Sequence, residues 1–258
     1  MEARDIMHPS DAKAIQALQE LRGFNTLVRG YMKFGGETMY RGFNLGGMLR
    51  VTERSNGRVY RLLHQVVQKI GMKAPDLYIY NDMDMNAYTY GESKPFIALS
   101  SSMVERMDDE ELKGVMAHEC GHILCKHSFY ITLLKTLENT GVLLRIISRV
   151  MILPIYAAMQ YWSRKSELSA DRCAAVVVGE ECYQQVLVKL ASGCKGEVGY
   201  VRSLVEQGQE YEAHKRASLW NRVQQEVRCA INSHPDLCTR AMELERWCHS
   251  YDYKRLRD

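Results

Sequence analysis

Hydrophobic positions recur at two different spacings along this chain of 258 residues. In residues 10–34 and 57–70, apolar side chains return every three or four positions, which places them on one face of an α-helix. Between residues 76 and 100 the pattern changes to short stretches rich in aromatic and β-branched side chains, separated by turn residues. That composition is typical of β-strands. From residue 101 onward the spacing is helical again.

The three short stretches at 76–81, 86–91 and 95–100 predict a small, three-stranded antiparallel sheet. Helices, a small sheet and then more helices indicate an α+β fold that is predominantly helical. No internal repeat is present in the sequence, so we expect no attached repeat domain. We expect a helical N-terminal extension over residues 1–72, packed on the domain that residues 73–258 form.

One apolar segment, residues 142–162, raises the question of a membrane. Arg145 and Arg149 interrupt it, and Pro154 lies inside it. Its uninterrupted apolar run, 150–159, is far shorter than the ~20 residues that a membrane-spanning helix needs. Two interpretations stay open. The segment is either a core helix or helical hairpin, or a helix that lies on a membrane surface or covers a cleft as a lid.

Composition narrows the class of protein. The chain is 46% hydrophobic and 25% charged, and its net charge of +3 is too close to balance to favour nucleic acid as a partner. Eight cysteines occur without any Cys-x-x-Cys pair, which argues against a disulfide scaffold and favours a reducing compartment. The first residues lack an apolar stretch of signal-peptide length. We therefore expect a cytoplasmic protein, with peripheral association with the inner membrane as the alternative.

The chemistry of the chain centres on His-Glu-Cys-Gly-His at residues 118–122. Asp108 is a good N-cap, and Glu111 completes a capping-box pattern, so a helix is predicted from 109 to about 126. Because His118 and His122 lie four positions apart, both imidazoles point to the same side of that helix. The neighbouring pair of nitrogen ligands suits a tetrahedral zinc ion.

Two further residues of this motif have expected roles. Glu119 follows the first histidine, where its carboxylate can reach a water molecule at the metal without binding the metal itself. We expect it to act as the general base that takes a proton from water and later delivers it to a leaving amine. The side chain of Cys120 points away from the histidines, so we expect it to pack in the core.

A third protein ligand is needed to leave one zinc position for water, and Glu167 is the candidate. Glu167 and Asp171 are also four residues apart, in a segment from Trp162 that has the pattern of a helix start. We expect Asp171 to accept a hydrogen bond from the remote nitrogen of a ligating histidine. The remaining histidines have no partner at ligand spacing and are expected to be structural or exposed: His8, His64, His127, His214 and His249.

Together these residues resemble the HtpX-like family of zinc metallopeptidases, gluzincins that also include the CAAX prenyl proteases. The resemblance rests on 118–122, Glu167 with Asp171, Asn86-Ala87, His234-Pro235, Arg240 and the stretch 40–47. It implies a zincin-like domain with one zinc ion per chain. Many relatives carry transmembrane helices before and after the zinc helix, whereas here only 142–162 comes close, so we do not expect prenylated substrates.

The resemblance also implies roles that spacing alone does not assign. His234 is similar to the residue that donates a hydrogen bond to the oxyanion of the reaction. Asn86, Ala87 and Tyr88 resemble the start of an edge strand that pairs with an extended substrate, with plain sheet packing of Tyr88 as the alternative. Arg240 is expected to brace the site or to bind a substrate carbonyl, and a surface salt bridge is its alternative.

The function that these residues predict is that of a zinc-dependent endopeptidase acting on polypeptides, either misfolded or membrane-associated. Two alternatives remain at the level of the sequence. One is a zinc-stabilised, chaperone-like binding module that cleaves little. The other is a latent peptidase whose cleft is closed by 142–162 or by the N-terminal helices. The presence of Glu119 and His234 favours catalysis, because a binding module needs neither.

Overall fold

The structure is a computed structural model that describes residues 1–33, 42, 46–139, 149–195, 197–218, 220–221 and 236–257. Three of the sequence predictions therefore fall wholly or partly outside the described residues. They concern His234 with Pro235, most of the stretch 40–47, and the first seven residues of the apolar segment, 142–148.

Helices and strands follow one another in the expected overall order. The N-terminal part contains α1 (Ala3–Ile6), α2 (Pro9–Glu20), α3 (Phe24–Lys33), β1 (Leu49–Arg50) and α4 (Gly57–Ile70). The sheet continues with β2 (Asp76–Tyr80), β3 (Ala87–Tyr90) and β4 (Phe96–Ser100). The helices that follow are α5 (Ser101–Arg106), α6 (Asp109–Leu124), α7 (His127–Asn139), α8 (Arg149–Val178), α9 (Glu180–Ser192), α10 (Val198–Ala217), α11 (Leu237–Cys248) and α12 (Tyr251–Arg257). The α+β class with mostly helical content is confirmed.

The sheet differs from the prediction in two respects. It has four strands in the order β1-β2-β4-β3, and β2 runs parallel to β4, with Asp76 opposite Phe96. The prediction of a three-stranded antiparallel sheet was therefore wrong. Strand β1 has two residues, too few to show any periodicity. Alternation along a strand identifies the strand and its faces, but it does not encode which strand lies beside it or in which direction.

The helix predicted over 10–34 is two helices, α2 and α3. The chain turns between them at Gly23, whose φ of 89° is in the left-handed region that glycine adopts without a steric penalty. Leu18 of α2 and Phe24 of α3 are both buried, in a small core that also contains Leu133 and Trp162. The turn therefore lets both N-terminal helices bury apolar side chains against the same neighbours.

The described part of the apolar segment belongs to α8. This helix begins at Arg149, so the stretch around Glu167 lies in the middle of a helix and not at its start, as the sequence had indicated. Ile155, Met159 and Trp162 are buried in the same small core as Leu18. Within the described residues, no helix combines the length and the apolar character that crossing a bilayer requires.

The contact between α6 and α8 sets the position of the candidate site. Gly121 of α6 lies against α8 so closely that a Cβ atom built on it would be 2.8 Å from Cys173 Cβ and 3.0 Å from Ala170 Cα. Cys120 and Cys173 are fully buried in the main hydrophobic core, which spans α4, the sheet and α6. Cys120 therefore packs as predicted. The absence of a side chain at Gly121 brings together the two helices that carry the candidate ligands.

Candidate metal centre

Helix α6, which carries the His-Glu-Cys-Gly-His motif, begins at a well-formed cap. Asp108 Oδ1 accepts hydrogen bonds from the backbone N–H groups of Glu110 and Glu111, at 3.0 and 2.9 Å. The Glu111 carboxylate accepts one from the backbone N–H of Asp108 at 2.9 Å. This reciprocal arrangement satisfies N–H groups that have no partner within the helix. The start of α6, and with it the direction of every later side chain, is therefore set locally.

Two histidines of α6 and a glutamate of α8 meet in the protein interior. The Nε2 atoms of His118 and His122 are 3.2 Å apart. Glu167 Oε2 lies 3.4 Å from Nε2 of His118, and Glu167 Oε1 lies 3.4 Å from Nε2 of His122. All three side chains are buried. Within the described residues they form the group of metal-ligating side chains that is compact enough to hold one ion.

The donor set fits a zinc ion. Zinc–nitrogen and zinc–oxygen distances near 2.0–2.1 Å imply tetrahedral ligand-to-ligand distances of roughly 3.3–3.4 Å. The two Nε2 atoms are 3.2 Å apart, and each lies 3.4 Å from one oxygen of Glu167, which is close to that spacing. Charge agrees with geometry, because three buried carboxyl groups, those of Glu119, Glu167 and Asp171, lie near the buried guanidinium of Arg240. Ionised carboxylates in excess of cations are costly in a protein interior unless a cation joins them.

The pKa values of the two histidines are shifted in opposite directions. Burial lowers the pKa of His118, but hydrogen bonds to Asp171 and Glu167 outweigh burial and raise it to about 9. Burial lowers the pKa of His122 below its ordinary value, against the influence of Glu167. Glu167 favours the charged form of both histidines, so its carboxylate would also favour a metal cation beside their Nε2 atoms.

Glu119 lies beside the candidate ligands and lines the same cleft. Its side chain is buried, and burial raises its pKa to about 7. A carboxyl group with a pKa near neutrality can both accept a proton from water and return it to a leaving group. Its environment therefore suits the general-base role that the sequence predicts for it.

The far side of His118 is held by two oxygen atoms. His118 Nδ1 lies 3.0 Å from Asp171 Oδ1 and 2.9 Å from the hydroxyl oxygen of Tyr183. The Tyr183 hydroxyl donates a hydrogen bond to Asp171 Oδ1 at 2.8 Å. Partners on Nδ1 keep the proton there and leave the Nε2 lone pair to a metal. Sequence reasoning missed Tyr183, because it belongs to α9 and shares no spacing pattern with the motif.

Arg240 of α11 is buried behind the ligands, 5% exposed. Its Nη1 lies 3.0 Å from Glu167 Oε2, and its Nε donates to Asp171 Oδ2 at 2.8 Å. Burial favours the neutral carboxylic acids, but Arg240 and His118 hold the pKa of both Glu167 and Asp171 below their ordinary values. The alternative of a surface salt bridge is wrong, because the guanidinium is buried between two carboxylates.

The centre opens into a cleft of about 860 Å³. One wall is strand β3, which lies at an edge of the described sheet, and Asn86, Ala87 and Tyr88 line the cleft. The Tyr88 ring stacks among other rings, with centroids 5.4 Å from Tyr80 and 4.7 Å from Tyr90. Strand β3 therefore borders the cleft, and the Tyr88 ring packs on the sheet.

Two buried residues that the sequence did not single out lie behind His122. His127, expected to be structural or exposed, has its Nδ1 3.1 Å from His122 Nδ1. Asp11 of α2 is fully buried, and its Oδ2 lies 2.9 Å from His127 Nε2. The spacing of five residues between the histidines is the only sequence signal, and it does not correspond to one helix face. Nothing in the sequence connects Asp11 with either histidine.

The comparisons with known proteins agree with this geometry. A model of peptidase family M48 matches residues 53–248. The plastoglobule-localized metallopeptidase 48 of Arabidopsis thaliana is 28% identical over 99% of this chain and 76% of its own length. A protease HtpX homolog of Bacillus subtilis is 26% identical, covering 71% of this chain and 67% of its own length. A Bacteroides fragilis homolog is 39% identical, over 30% of this chain and 24% of its own. No solved structure matches the chain.

The chain belongs to peptidase family M48. The resemblance to HtpX-like metallopeptidases is thereby confirmed, and the protein is a metallopeptidase that acts on polypeptides. All the candidate site residues predicted from the sequence lie within the region that matches M48. Helices α1, α2 and α3 precede that region, so the Asp11 carboxylate comes from outside it.

Proposed function

We propose that this M48 peptidase is a zinc-dependent endopeptidase whose ligands are His118, His122 and Glu167. The observation that carries the proposal is the convergence of three buried ligand side chains, with contacts of 3.2, 3.4 and 3.4 Å between them, beside the buried carboxyl group of Glu119. Glu119 favours catalysis over a binding module, because a purely structural zinc site uses no buried carboxylate beside its ligands.

Each side chain of the centre has its own role in the proposed hydrolysis. When bound, zinc supplies Lewis acidity, which polarises a peptide carbonyl and makes water more acidic. Glu119 takes the proton of the attacking water and delivers it to the leaving nitrogen. Asp171 and Tyr183 hold the proton of His118 on Nδ1. Arg240 keeps Glu167 and Asp171 ionised and in position, so we assign it a bracing role.

Substrate binding is proposed along β3. An extended polypeptide that pairs with the backbone of residues 86–90 gains affinity from main-chain hydrogen bonds and needs little sequence preference. Asp236 and Leu237 line the cleft. They directly follow His234-Pro235 in the chain, which supports the proposal that His234 donates a hydrogen bond to the oxyanion.

The biological role that we propose is turnover of misfolded or membrane-associated proteins. An edge strand recognises extended backbone, which unfolded chains offer and compact native proteins do not. We propose a cytoplasmic location with peripheral membrane contact through 142–162. We further propose that residues 1–72 act as an N-terminal extension of the peptidase domain at 73–258.

The test of catalysis is Glu119→Gln, with zinc content and casein cleavage measured on the same preparation. We expect about one zinc per chain, as in the wild type, and a loss of cleavage of roughly 10²–10⁴-fold, because the amide cannot accept a proton. Retained cleavage would remove Glu119 from the mechanism.

The companion variant Glu167→Ala tests the third ligand. We expect zinc and cleavage to be lost together, since two histidines alone hold zinc weakly. Zinc bound by the wild type without cleavage of casein would favour the chaperone-like module or a latent enzyme. Wild-type protein without zinc would contradict the proposed metal centre.

A further inference from the structure

A chain of three buried side chains leads from His122 to the N-terminal extension. His122 Nδ1 lies 3.1 Å from His127 Nδ1, and His127 Nε2 lies 2.9 Å from Asp11 Oδ2. None of the three is more than 3% exposed. The last contact brings a ring nitrogen of His127 to a fully buried carboxylate.

The direction of the protons in this chain follows from the metal side. His122 offers its Nε2 lone pair to the metal, so its ring proton must be on Nδ1. His127 Nδ1 can receive that proton in a hydrogen bond only if it carries none itself. The proton of His127 is then on Nε2, the nitrogen that faces Asp11. One arrangement of protons therefore serves all three residues and leaves His122 ready to bind a metal.

We propose that Asp11 and His127 are positioning residues for the metal ligand His122. The negative charge of Asp11 selects the tautomer of His127 with its proton on Nε2, and that tautomer in turn selects the metal-binding tautomer of His122. The inference rests on the metal centre proposed above. It assigns a part in that centre to α2, a helix that precedes the region matched by family M48.

The carboxylate of Asp11 is held from α8 as well. Trp162 Nε1 donates to Asp11 Oδ1 at 3.0 Å, and the Ser169 hydroxyl donates to Asp11 Oδ2 at 2.6 Å. Helix α8 also carries Glu167, the third candidate ligand. A carboxylate with defined partners on two helices keeps a fixed position, which a residue that orients another side chain must have.

The turn before His127 is strained in a way that fits this arrangement. Lys126 is the non-glycine residue with a positive φ, 60°, among the described residues. Cys125 and this left-handed residue connect α6 to α7, the helix that begins at His127. Strain of this kind persists where the surrounding contacts require it.

Asp11→Asn tests the proposal with a nearly isosteric change. The Asn amide has a donor where the carboxylate had only acceptors, so it favours the His127 tautomer with its proton on Nδ1. His122 is then driven to carry its proton on Nε2, where the metal should bind. In the 258-residue chain we expect zinc affinity to fall about 10- to 100-fold, measured by competition with a chromophoric chelator.

A double-mutant cycle separates positioning from simple structural support. His127→Phe keeps a ring beside Trp162 but removes both nitrogens, so we expect a similar loss of zinc affinity. If Asp11 acts through His127, adding Asp11→Asn to His127→Phe lowers zinc affinity no further. If the double variant instead loses the product of the two single losses of zinc affinity, Asp11 does not act through His127 and the proposal is overturned.

Leu18→Ala is the matched control for damage to α2. Leu18 is fully buried on the same helix and has no polar contact with the centre. We expect this variant to melt at a lower temperature than the wild type and yet to bind zinc with wild-type affinity. Wild-type zinc affinity in Asp11→Asn would also overturn the inference. Failure of the wild type to bind zinc would instead contradict the metal centre itself, so the two failures are distinguishable.

Discussion

At the scale of single residues, Arg240 shows how the centre tolerates its buried carboxylates. Its guanidinium contacts both Glu167 and Asp171, and all three side chains are buried. A buried charge that loses its partner is far more costly than an exposed one. The same helix offers a comparison, because Arg246 pairs with Glu243 at 2.7 Å and its side chain is 65% exposed.

We therefore expect Arg240→Met to lower the free energy of unfolding of the metal-free protein by about 3–5 kcal/mol. Arg246→Met should change it by less than about 1 kcal/mol. Urea unfolding of both variants in a chelator provides the measurement. If both substitutions change the free energy of unfolding by the same small amount, Arg240 is not needed to stabilise the buried carboxylates.

Lys126 supplies a second prediction at this scale. Its side chain is exposed, and its φ of 60° costs an L-residue roughly 1–2 kcal/mol, a cost that glycine avoids. Lys126→Gly relieves this strain, but glycine also increases the conformational entropy of the unfolded chain, which offsets part of the stabilisation. We expect a net stabilisation of about 0.5–1 kcal/mol in urea unfolding. Lys126→Ala keeps a Cβ atom, so it should give no such gain.

At the scale of elements, the close packing of α6 on α8 determines where the ligands meet. The position of Gly121 against Cys173 and Ala170 leaves no space for a side chain. Gly30 in α3 is a helical glycine at which an added Cβ would meet no described atom within 4 Å beyond its chain neighbours and the nearby backbone of its own helix. Alanine substitution at the two positions therefore distinguishes the effect of close packing on stability from the effect of helix propensity.

Gly121→Ala should destabilise the protein by about 1–3 kcal/mol, because the new methyl group pushes the two helices apart. Gly30→Ala should stabilise it by up to about 1 kcal/mol, because alanine favours the helix and meets no neighbour. Chemical denaturation of both variants measures the difference. If Gly121→Ala instead stabilises the protein, the interface between α6 and α8 can accommodate a methyl group at this position.

At the scale of the whole molecule, the metal is expected to link parts of the chain that are far apart in sequence. The proposed ligands come from α6 and α8, and the residues that contact them or their neighbours come from α2, α7, α9 and α11. An ion that binds only the folded chain stabilises it according to its free concentration relative to its dissociation constant. The magnitude is about 4 kcal/mol at a thousandfold excess over that constant.

For a domain of this size, we expect excess zinc to raise the melting temperature by roughly 8–16 °C relative to protein in EDTA, on the basis of about 2–4 °C per kcal/mol. Circular dichroism during heating measures the shift. Glu167→Ala, which lacks a ligand, should show a much smaller response to zinc. An equal response in that variant would place the stabilising ion elsewhere.

The sequence alone determined the features that depend on local interactions. The cap at Asp108 and the spacing of His118 and His122 fix one face of α6 without any help from distant residues. The same holds for α4, whose observed bounds Gly57–Ile70 agree with the prediction from apolar spacing. Steric contacts and hydrogen bonds between residues close in sequence determine these features. They can therefore be predicted from the sequence alone.

Only the tertiary structure decided which distant groups share the interior. It placed β2 parallel to β4, buried Arg240 between two carboxylates, and brought Tyr183 to His118 and Asp11 to His127. Asp11 is 116 residues from His127 in sequence. No periodic pattern records such a pairing, because it results from the packing of whole helices, and packing depends on the shapes and volumes of all the side chains between them.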